Sequence, residues 1–271
     1  LIVRKHEALR TIIPIVNDRA IQRVYQEANI EINEIILDDN DIDSLIAFTK
    51  LQSKKYLDPS IETLRVSLAK INPITNYLFI EIHHLICDGW SAQIISKDLS
   101  AAYLHLTQSD SNVAHLTETE YQYVDWSEWQ KSQVENAVNR EYWESRLYGT
   151  KNLSPLVISD DTEISIEAEY LIAKISSEEI KKIEFQCAKF EITSFEWFLN
   201  SLVLLISKYQ KNDEIWISTP WANRSYEEFF ETVGCFVDTV PLRLKVSRKN
   251  TFSEALDLLK SQVRSDLSHA E

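Results

Sequence analysis

His83-His84-Leu85-Ile86-Cys87-Asp88-Gly89-Trp90-Ser91 stands where two local patterns meet. Before it, Leu78, Ile80 and Ile82 alternate with Tyr77, Phe79 and Glu81, the period of a strand, and a strand is predicted over 77–84. After it a helix is predicted over 91–106, with Ser91 as its N-cap. A strand that runs to position 84 turns His83 and His84 to opposite faces, one toward a cleft and one into the body of the lobe. An imidazole at a strand end suits proton transfer near neutral pH. Asp88 lies beyond the strand and can fold back toward the loop. Gly89 permits positive φ and lets the backbone come close to a substrate. Two histidines and a carboxylate also raise a metal site, but adjacent strand residues point apart and do not readily share one ion. Cys87 beside His84 raises a thiol nucleophile; nothing nearby lowers a thiol pKa, and it reads as a small, inert loop residue.

Outward from this stretch, strand-like and helix-like segments alternate. Two short apolar runs, 12–16 and 21–25, flank Asn17-Asp18 and read as a hairpin. Asp38-Asp39-Asn40-Asp41 is an acidic loop that caps a helix through Leu45, Phe48 and Leu51. Leu64, Val66 and Leu68 mark a strand, and Asn72-Pro73 a turn. A long helix is predicted over 121–147, carrying Trp129, Val134, Val138 and Trp143. The polar stretch 149–161, with Pro155 and no period, is the expected lobe boundary. Ser176 with Glu179 is a capping box. A very apolar helix follows over 194–209, then strands over 215–219 and 236–246 and an amphipathic helix over 253–269. Helices and strands in this mixed order predict a layered α/β or α+β architecture.

Composition removes several classes of function. The 271 residues fit one large domain or two small ones, and 42 acidic against 28 basic side chains give a formal charge of −14. That charge disfavours nucleic acid and anionic membrane surfaces as partners. No apolar run approaches the ~20 residues of a membrane span. With only Gly89, Gly149 and Gly234, the glycine-rich dinucleotide, P-loop and nucleophile-elbow motifs are absent. Three scattered cysteines suggest neither a disulfide framework nor a zinc site and fit a reducing cytoplasm.

Five ordered segments carry a family resemblance. His83 to Gly89 resembles the H-H-x-x-x-D-G signature of the condensation domains of nonribosomal peptide synthetases, which share the chloramphenicol acetyltransferase fold. Lys5-His6-Glu7-Ala8-Leu9-Arg10-Thr11 resembles R-H-E-x-L-R-T. Tyr123-Val124-Asp125-Trp126-Ser127-Glu128-Trp129-Gln130 is similar to Y-x-D-Y-x-x-W-Q. Thr219-Pro220-Trp221-Ala222-Asn223-Arg224 resembles T-P-x-A-N-R, and Val233-Gly234-Cys235-Phe236-Val237-Asp238-Thr239 resembles I-G-x-F-V-N-T. Lys5, Cys235 and Asp238 depart from these patterns, as variation in tunnel lining. Cyclising relatives carry D-x-x-x-x-D in place of the histidines, and epimerising ones place Trp after the Ser of the motif. Trp90 before Ser91 matches the peptide-bond-forming type.

The resemblance implies a two-lobed fold, with residues 1–150 as the N-terminal lobe and 151–271 as an incomplete C-terminal lobe. The family's first motif is expected before Leu1 and its last motifs after Glu271. It implies amide formation between a donor acyl or peptidyl thioester and the amine of an aminoacyl acceptor, both on 4'-phosphopantetheine arms of peptidyl carrier domains. An adjacent adenylation domain is expected, and no cofactor or metal of the domain's own. His84 is the candidate for moving the proton or orienting the amine. Asp88 and Gly89 complete the motif, and His83 holds the strand end. Arg10 is the expected ion-pair partner of Asp88, with Arg224 the alternative, and Trp90 and Asp238 shape the tunnel. A free-standing acyltransferase of the same superfamily, or a non-catalytic recruiting domain, are the alternatives.

Overall fold

The computed structural model describes residues 1–27, 30–37, 42–108, 119–133, 137–149, 171–210, 212–247 and 249–270. Two compact units divide the chain: Leu1–Val134 with Ala222–Val237, and Glu135–Trp221 with Asp238–Glu271. The boundary expected over 149–161 therefore lies within the second unit, where 150–161 is outside the described residues. The connection 222–237, between two strands of the second unit, belongs to the first.

The first unit opens with α1 (Ile2–Lys5), a 3-10 turn at Glu7–Arg10 and four two-residue strands. β1 (Thr11–Ile12) pairs with β4 (Arg23–Val24), and β2 (Ile15–Val16) with β3 (Arg19–Ala20), all antiparallel. Asn17 and Asp18 take φ of 50° and 59°. Two left-handed residues in a two-residue loop are what a type I′ hairpin turn requires, and Asn and Asp tolerate them. A three-stranded sheet follows. β6 (Leu64–Lys70) lies between β5 (Ile32–Ile36), parallel to it, and β7 (Asn76–Ile82), antiparallel. The small residues Ser67 and Ala69 are the buried face of β6, while Leu64, Val66 and Leu68 are only partly covered. The helix α2 (Ile42–Ser53) crosses nearby in sequence, Phe48 meeting Phe79 of β7 edge-on at 4.9 Å. The acidic loop 38–41 lies outside the described residues.

The central helix of this unit is α3 (Gly89–Gln108). Ser91, Ile94, Ile95, Asp98 and Ala102 are buried along it, the three- and four-residue spacing of one helical face. Ile94 and Ile95 pack with Ala8, Leu9, Ile86 and Val233. Asp98 accepts from His6 Nε2 and pairs with Lys5 Nζ, each at 2.7 Å. Over the predicted helix 121–147 two helical stretches are described, α4 (Tyr123–Gln133) and α5 (Ala137–Leu147), assigned to different units, with 134–136 outside the described residues.

In the second unit β8 (Glu214–Trp221) pairs antiparallel with β9 (Asp238–Lys245). Val240, Leu242 and Leu244 alternate on the buried face of β9. They pack against Leu199 and Val203 of α7 (Ser194–Gln210) and Leu259 and Val263 of α8 (Phe252–Leu267). α6 (Ser177–Phe190) carries the expected Ser176–Glu179 capping box. Two further boxes, Thr193 with Glu196 and Thr251 with Glu254, open α7 and α8. Asp266, fully buried, accepts from Arg146 Nε and Nη2 at 2.6 and 2.9 Å and from the Tyr142 hydroxyl at 2.6 Å. This ties α5 to α8. On α7, Phe195, Phe198, Leu202, Leu205 and Tyr209 stand exposed. Among the described residues no single helix is long and apolar enough to cross a membrane.

One titration is set by this packing. Burial pushes the His6 imidazole below its ordinary pKa, and the Asp98 contact only partly opposes it. Burial outweighs the ion pair because Lys5 already meets the Asp98 charge. A folded-state value below the unfolded ~6.5 means that the unfolded chain takes up the proton first as pH falls. The stability carried by neutral His6 is thus complete above that pH and declines below it. The urea midpoint is expected to drop between pH 7.5 and 5.5, and to drop less in His6→Gln. An equal drop in both proteins would contradict a buried neutral His6.

Candidate functional site

The site lies in the first unit, around the junction of β7 and α3. β7 ends at Ile82, two residues short of the predicted strand end, and His84–Ile86 forms a 3-10 turn. Strand alternation therefore does not separate the two histidines; the turn does. His83 is the N-cap of that turn, its Nδ1 accepting from the Leu85 N–H at 3.1 Å. His84 is exposed, and its Nδ1 is 3.7 Å from Cys235 Sγ.

Asp88, not Ser91, caps α3. Its Oδ1 accepts from the Ser91 N–H at 2.7 Å, and its backbone carbonyl from the Ala92 N–H. Its Oδ2 accepts from the Phe236 N–H at 3.0 Å. Its ion-pair partner is Arg224, whose Nη2 is 3.3 Å from Oδ1. Arg10, the partner expected first, is turned away: Nη2 bonds Glu7 Oε1 at 3.2 Å and Nη1 bonds the Tyr25 carbonyl. Its place at the end of a 3-10 turn directs its short reach to residues of its own segment and the adjoining β4 strand end.

Arg224 is nearly fully buried, and both of its Nη atoms are engaged. Nη1 donates to the carbonyls of Phe229 and Thr232 at 2.6 and 2.8 Å, and Nη2 also donates to Ser91 Oγ at 2.8 Å. The guanidinium lies 3.8 Å from the Phe236 ring centroid and 5.5 Å from that of Trp90. Burial lowers its pKa and Asp88 works against that shift. Asn223, at φ 52°, is the left-handed residue that turns the chain just before it, a conformation Asn accepts more readily than most residues.

Ser91 is fully buried, and its hydroxyl donates to the Gly234 carbonyl at 2.7 Å while accepting from the Gly234 N–H at 3.0 Å. Gly234 cannot be larger: a Cβ there falls on the Tyr123 ring, 2.9 Å from Cε2 and closer to Cδ2 and Cγ. By sequence Ser91 is a predicted cap and Gly234 part of a motif. Only the fold shows that they bond each other. Tyr123 donates to the Cys235 carbonyl at 2.7 Å, and burial pushes its pKa to about 12.

Gly89 opens α3 without a left-handed φ, and a Cβ there would meet nothing within 4 Å. The positive φ expected of it is not used, and what it leaves is open space at the helix start. Trp90, 42% exposed, donates from Nε1 to the Phe230 carbonyl at 3.0 Å. Burial, with the Asp88 charge second, raises Cys87 to about 11, in keeping with an inert thiol. Asp238 is exposed at the start of β9, in the second unit, and accepts from the Thr239 N–H. Among the described residues no group of three or more His, Cys, Asp or Glu could hold a metal ion.

The Condensation domain family model matches residues 1–271. The chain belongs to the condensation domain family. It is 26% identical over 265 residues to bacitracin synthase 1 of Bacillus licheniformis, covering 95% of this chain and 5% of that protein. Solved structures share its fold, among them the following two. The X-domain of teicoplanin biosynthesis, in complex with OxyB, superposes with a TM-score of 0.86 at 17% identity, over 99% of this chain and 60% of that one. The condensation domain of the monacolin K polyketide synthase MokA gives 0.78 at 20%, over 99% and 63%. This condensation domain chain thus spans under two thirds of those structures and a small part of the synthase, and it has the layered α/β chloramphenicol acetyltransferase-like fold expected.

Two predictions test the site's frame. Removing one partner of a buried ion pair costs about 3–5 kcal/mol because the other charge is left unmet. Asp88→Asn is expected to cost about that much in urea melts, and to add little in an Arg224→Met background. Arg10→Met should show no such coupling; if it does, Arg10 is a true partner of Asp88. Gly234→Ala should destabilise by roughly 1–3 kcal/mol or more through overpacking. Tyr123→Ala should relieve most of that extra cost, and strict additivity of the two would refute the clash.

Proposed function

We propose that this chain catalyses amide formation between a donor acyl or peptidyl thioester and the amine of an aminoacyl acceptor, with His84 as the group that acts at the reacting atoms. The observation that carries this is an exposed imidazole on a turn whose surroundings are fixed by buried bonds. His84 is exposed two residues past the strand, while Asp88, Ser91 and Arg224 close by are buried and hydrogen-bonded to one another. A polar group held in place but open to solvent is free to meet a substrate.

The chemistry asks for little beyond placement. A neutral amine attacks the thioester carbonyl, the C–N bond forms and negative charge gathers on the carbonyl oxygen. The C–S bond then breaks, and the departing thiolate takes the proton that the amine gives up. Stabilising the oxyanion is usually the largest contribution an enzyme can make to such a step. Besides His84, the start of α3 suits that charge. The first-turn N–H groups of a helix lack internal partners, and Asp88 occupies Ser91's. The open space at Gly89 leaves room for a substrate to approach the others.

In this reading Asp88 holds the frame and transfers no proton, and Trp90 lines the substrate path. Both substrates arrive on phosphopantetheine arms of carrier domains, with an adenylation domain as neighbour, and the domain needs no cofactor of its own. The setting is the cytoplasm. Family membership over residues 1–271 and the likeness to bacitracin synthase 1 support this assignment.

The test uses the full polypeptide in which these residues occur, with both carriers loaded. His84→Ala is expected to lower the rate of amide formation by roughly 10²–10³, the usual worth of one donor to a developing oxyanion. Its melting temperature should be unchanged, because the side chain is exposed. Near-normal amide formation by the folded variant would sink the assignment.

A further inference from the structure

We propose that Cys235 is a positioning residue for His84: its S–H donates to Nδ1, holds the imidazole as the Nε2–H tautomer, and so presents His84 to the substrate as a hydrogen-bond donor. The inference rests on the reading of His84 as the reacting group and narrows what that group does.

The geometry comes first. Cys235 Sγ and His84 Nδ1 are 3.7 Å apart, within reach of a sulfur hydrogen bond. The backbone of Cys235 is pinned on every side. Its carbonyl accepts from Tyr123, the Gly234 N–H before it bonds Ser91, and the Phe236 N–H after it bonds Asp88. The Cys235 backbone therefore stands at a fixed point from which its thiol reaches His84, and His84 stands on a turn that His83 caps. Among the described residues no other group bonds His84 Nδ1, and none bonds Nε2.

The direction of the bond follows from the chemistry of the two atoms. A thiol is a weak donor and its sulfur a weak acceptor, whereas the bare nitrogen of a neutral imidazole is a good acceptor. Burial and the neighbouring Asp88 charge keep the Cys235 thiol protonated, so the proton to share is on sulfur. The same raised pKa makes Cys235 a poor nucleophile, which sets aside an acyl-cysteine intermediate. With Nδ1 accepting, the ring proton is on Nε2. In that state His84 can donate to the thioester carbonyl oxygen as charge gathers there. It cannot take the amine's proton at Nε2, and that proton leaves with the thiolate. His83 has its own Nδ1 occupied in the same sense, by the Leu85 N–H.

The test reads the tautomer directly, without turnover. The chain is labelled with ¹⁵N-histidine and its long-range ¹H–¹⁵N spectrum recorded where the imidazoles are neutral. His84→Gln identifies the His84 signals by their loss. We expect Nε2 to be the protonated nitrogen and Nδ1 to show the shift of a hydrogen-bonded acceptor. Cys235→Ser should keep that signature and Cys235→Ala should move Nδ1 to the shift of an unbonded nitrogen. A protonated Nδ1 in the wild-type chain, or a Cys235→Ala spectrum like wild type, overturns the proposal. The kinetic arm uses loaded carriers and the full polypeptide. Cys235→Ala should lower kcat about threefold to tenfold, the worth of one hydrogen bond, leave KM unchanged, be rescued by Cys235→Ser, and cost nothing further in a His84→Gln background. The expected spectra with no change in the Cys235→Ala rate would leave the tautomer standing and overturn Cys235 as a positioning residue, whereas a His84→Gln rate like wild type would overturn His84's place in the reaction.

Discussion

The first unit depends on one buried bond set, the knot of Asp88, Ser91, Arg224 and Gly234. Segments more than 130 residues apart in sequence meet in it. Neither could be buried alone. A lone carboxylate or guanidinium in this setting costs several kcal/mol, and an unpaired hydroxyl or amide costs less but in the same sense. Together they satisfy one another almost completely: Asp88 receives Ser91, Phe236 and Arg224, and Ser91 Oγ both donates to and accepts from Gly234. Arg224 Nε is the one described exception within the set, and it lies where the guanidinium stacks on Phe236.

Such a knot is not chosen for stability alone, since an apolar replacement of equal volume is often as stable. What it supplies is register. An Asp that accepts from two backbone N–H groups and one Arg admits a single placement of the 222–237 connection against the start of α3. The aromatic residues then close around it. Trp126, Phe229 and Phe236 pack as one cluster with Tyr123 and Trp129 at its margin, their rings mostly tilted or edge to face, which is how ring quadrupoles prefer to meet. The missing Cβ of Gly234 is a consequence of that closure: Tyr123 occupies its space.

Much of the fold was legible because local chemistry fixed it. The Asn17-Asp18 turn, the Ser176–Glu179 box and the β6–β7 alternation are each decided by residues within a few positions. β5 was not read, because its residues are mostly exposed and only pairing with β6 makes Ile32–Ile36 a strand. Alternation in β6 was read correctly and its buried face wrongly: leucine and valine suggested one face, but Ser67 and Ala69 are the ones enclosed. The site divided in the same way. The histidines, Asp88 and Arg224 were visible as residue types in a pattern. Which arginine met Asp88 was not, since that is a contact over long sequence separation, and local reach had already engaged Arg10 with Glu7 and the Tyr25 carbonyl. The turn that begins at His84 likewise comes from the capping contact of His83, which strand periodicity cannot foresee.

The distribution of roles among these residues follows from the reaction proposed. A thioester and a free amine are reactive partners, so an enzyme joining them gains most by holding them in place and by meeting the charge that develops. Such an enzyme needs few groups that touch substrate and many that hold those few still. The site has that proportion. His84 is exposed, whereas Asp88, Ser91, Arg224 and Gly234 are buried and committed to one another. An exposed imidazole by itself turns freely about two side-chain bonds and has no fixed aim. It acquires one only where its second nitrogen is held, and the one described group within reach of that nitrogen is the thiol carried by the residue next to Gly234. The knot that sets the register of 222–237 thus also places the residue that carries the thiol, and through it the exposed imidazole of the site.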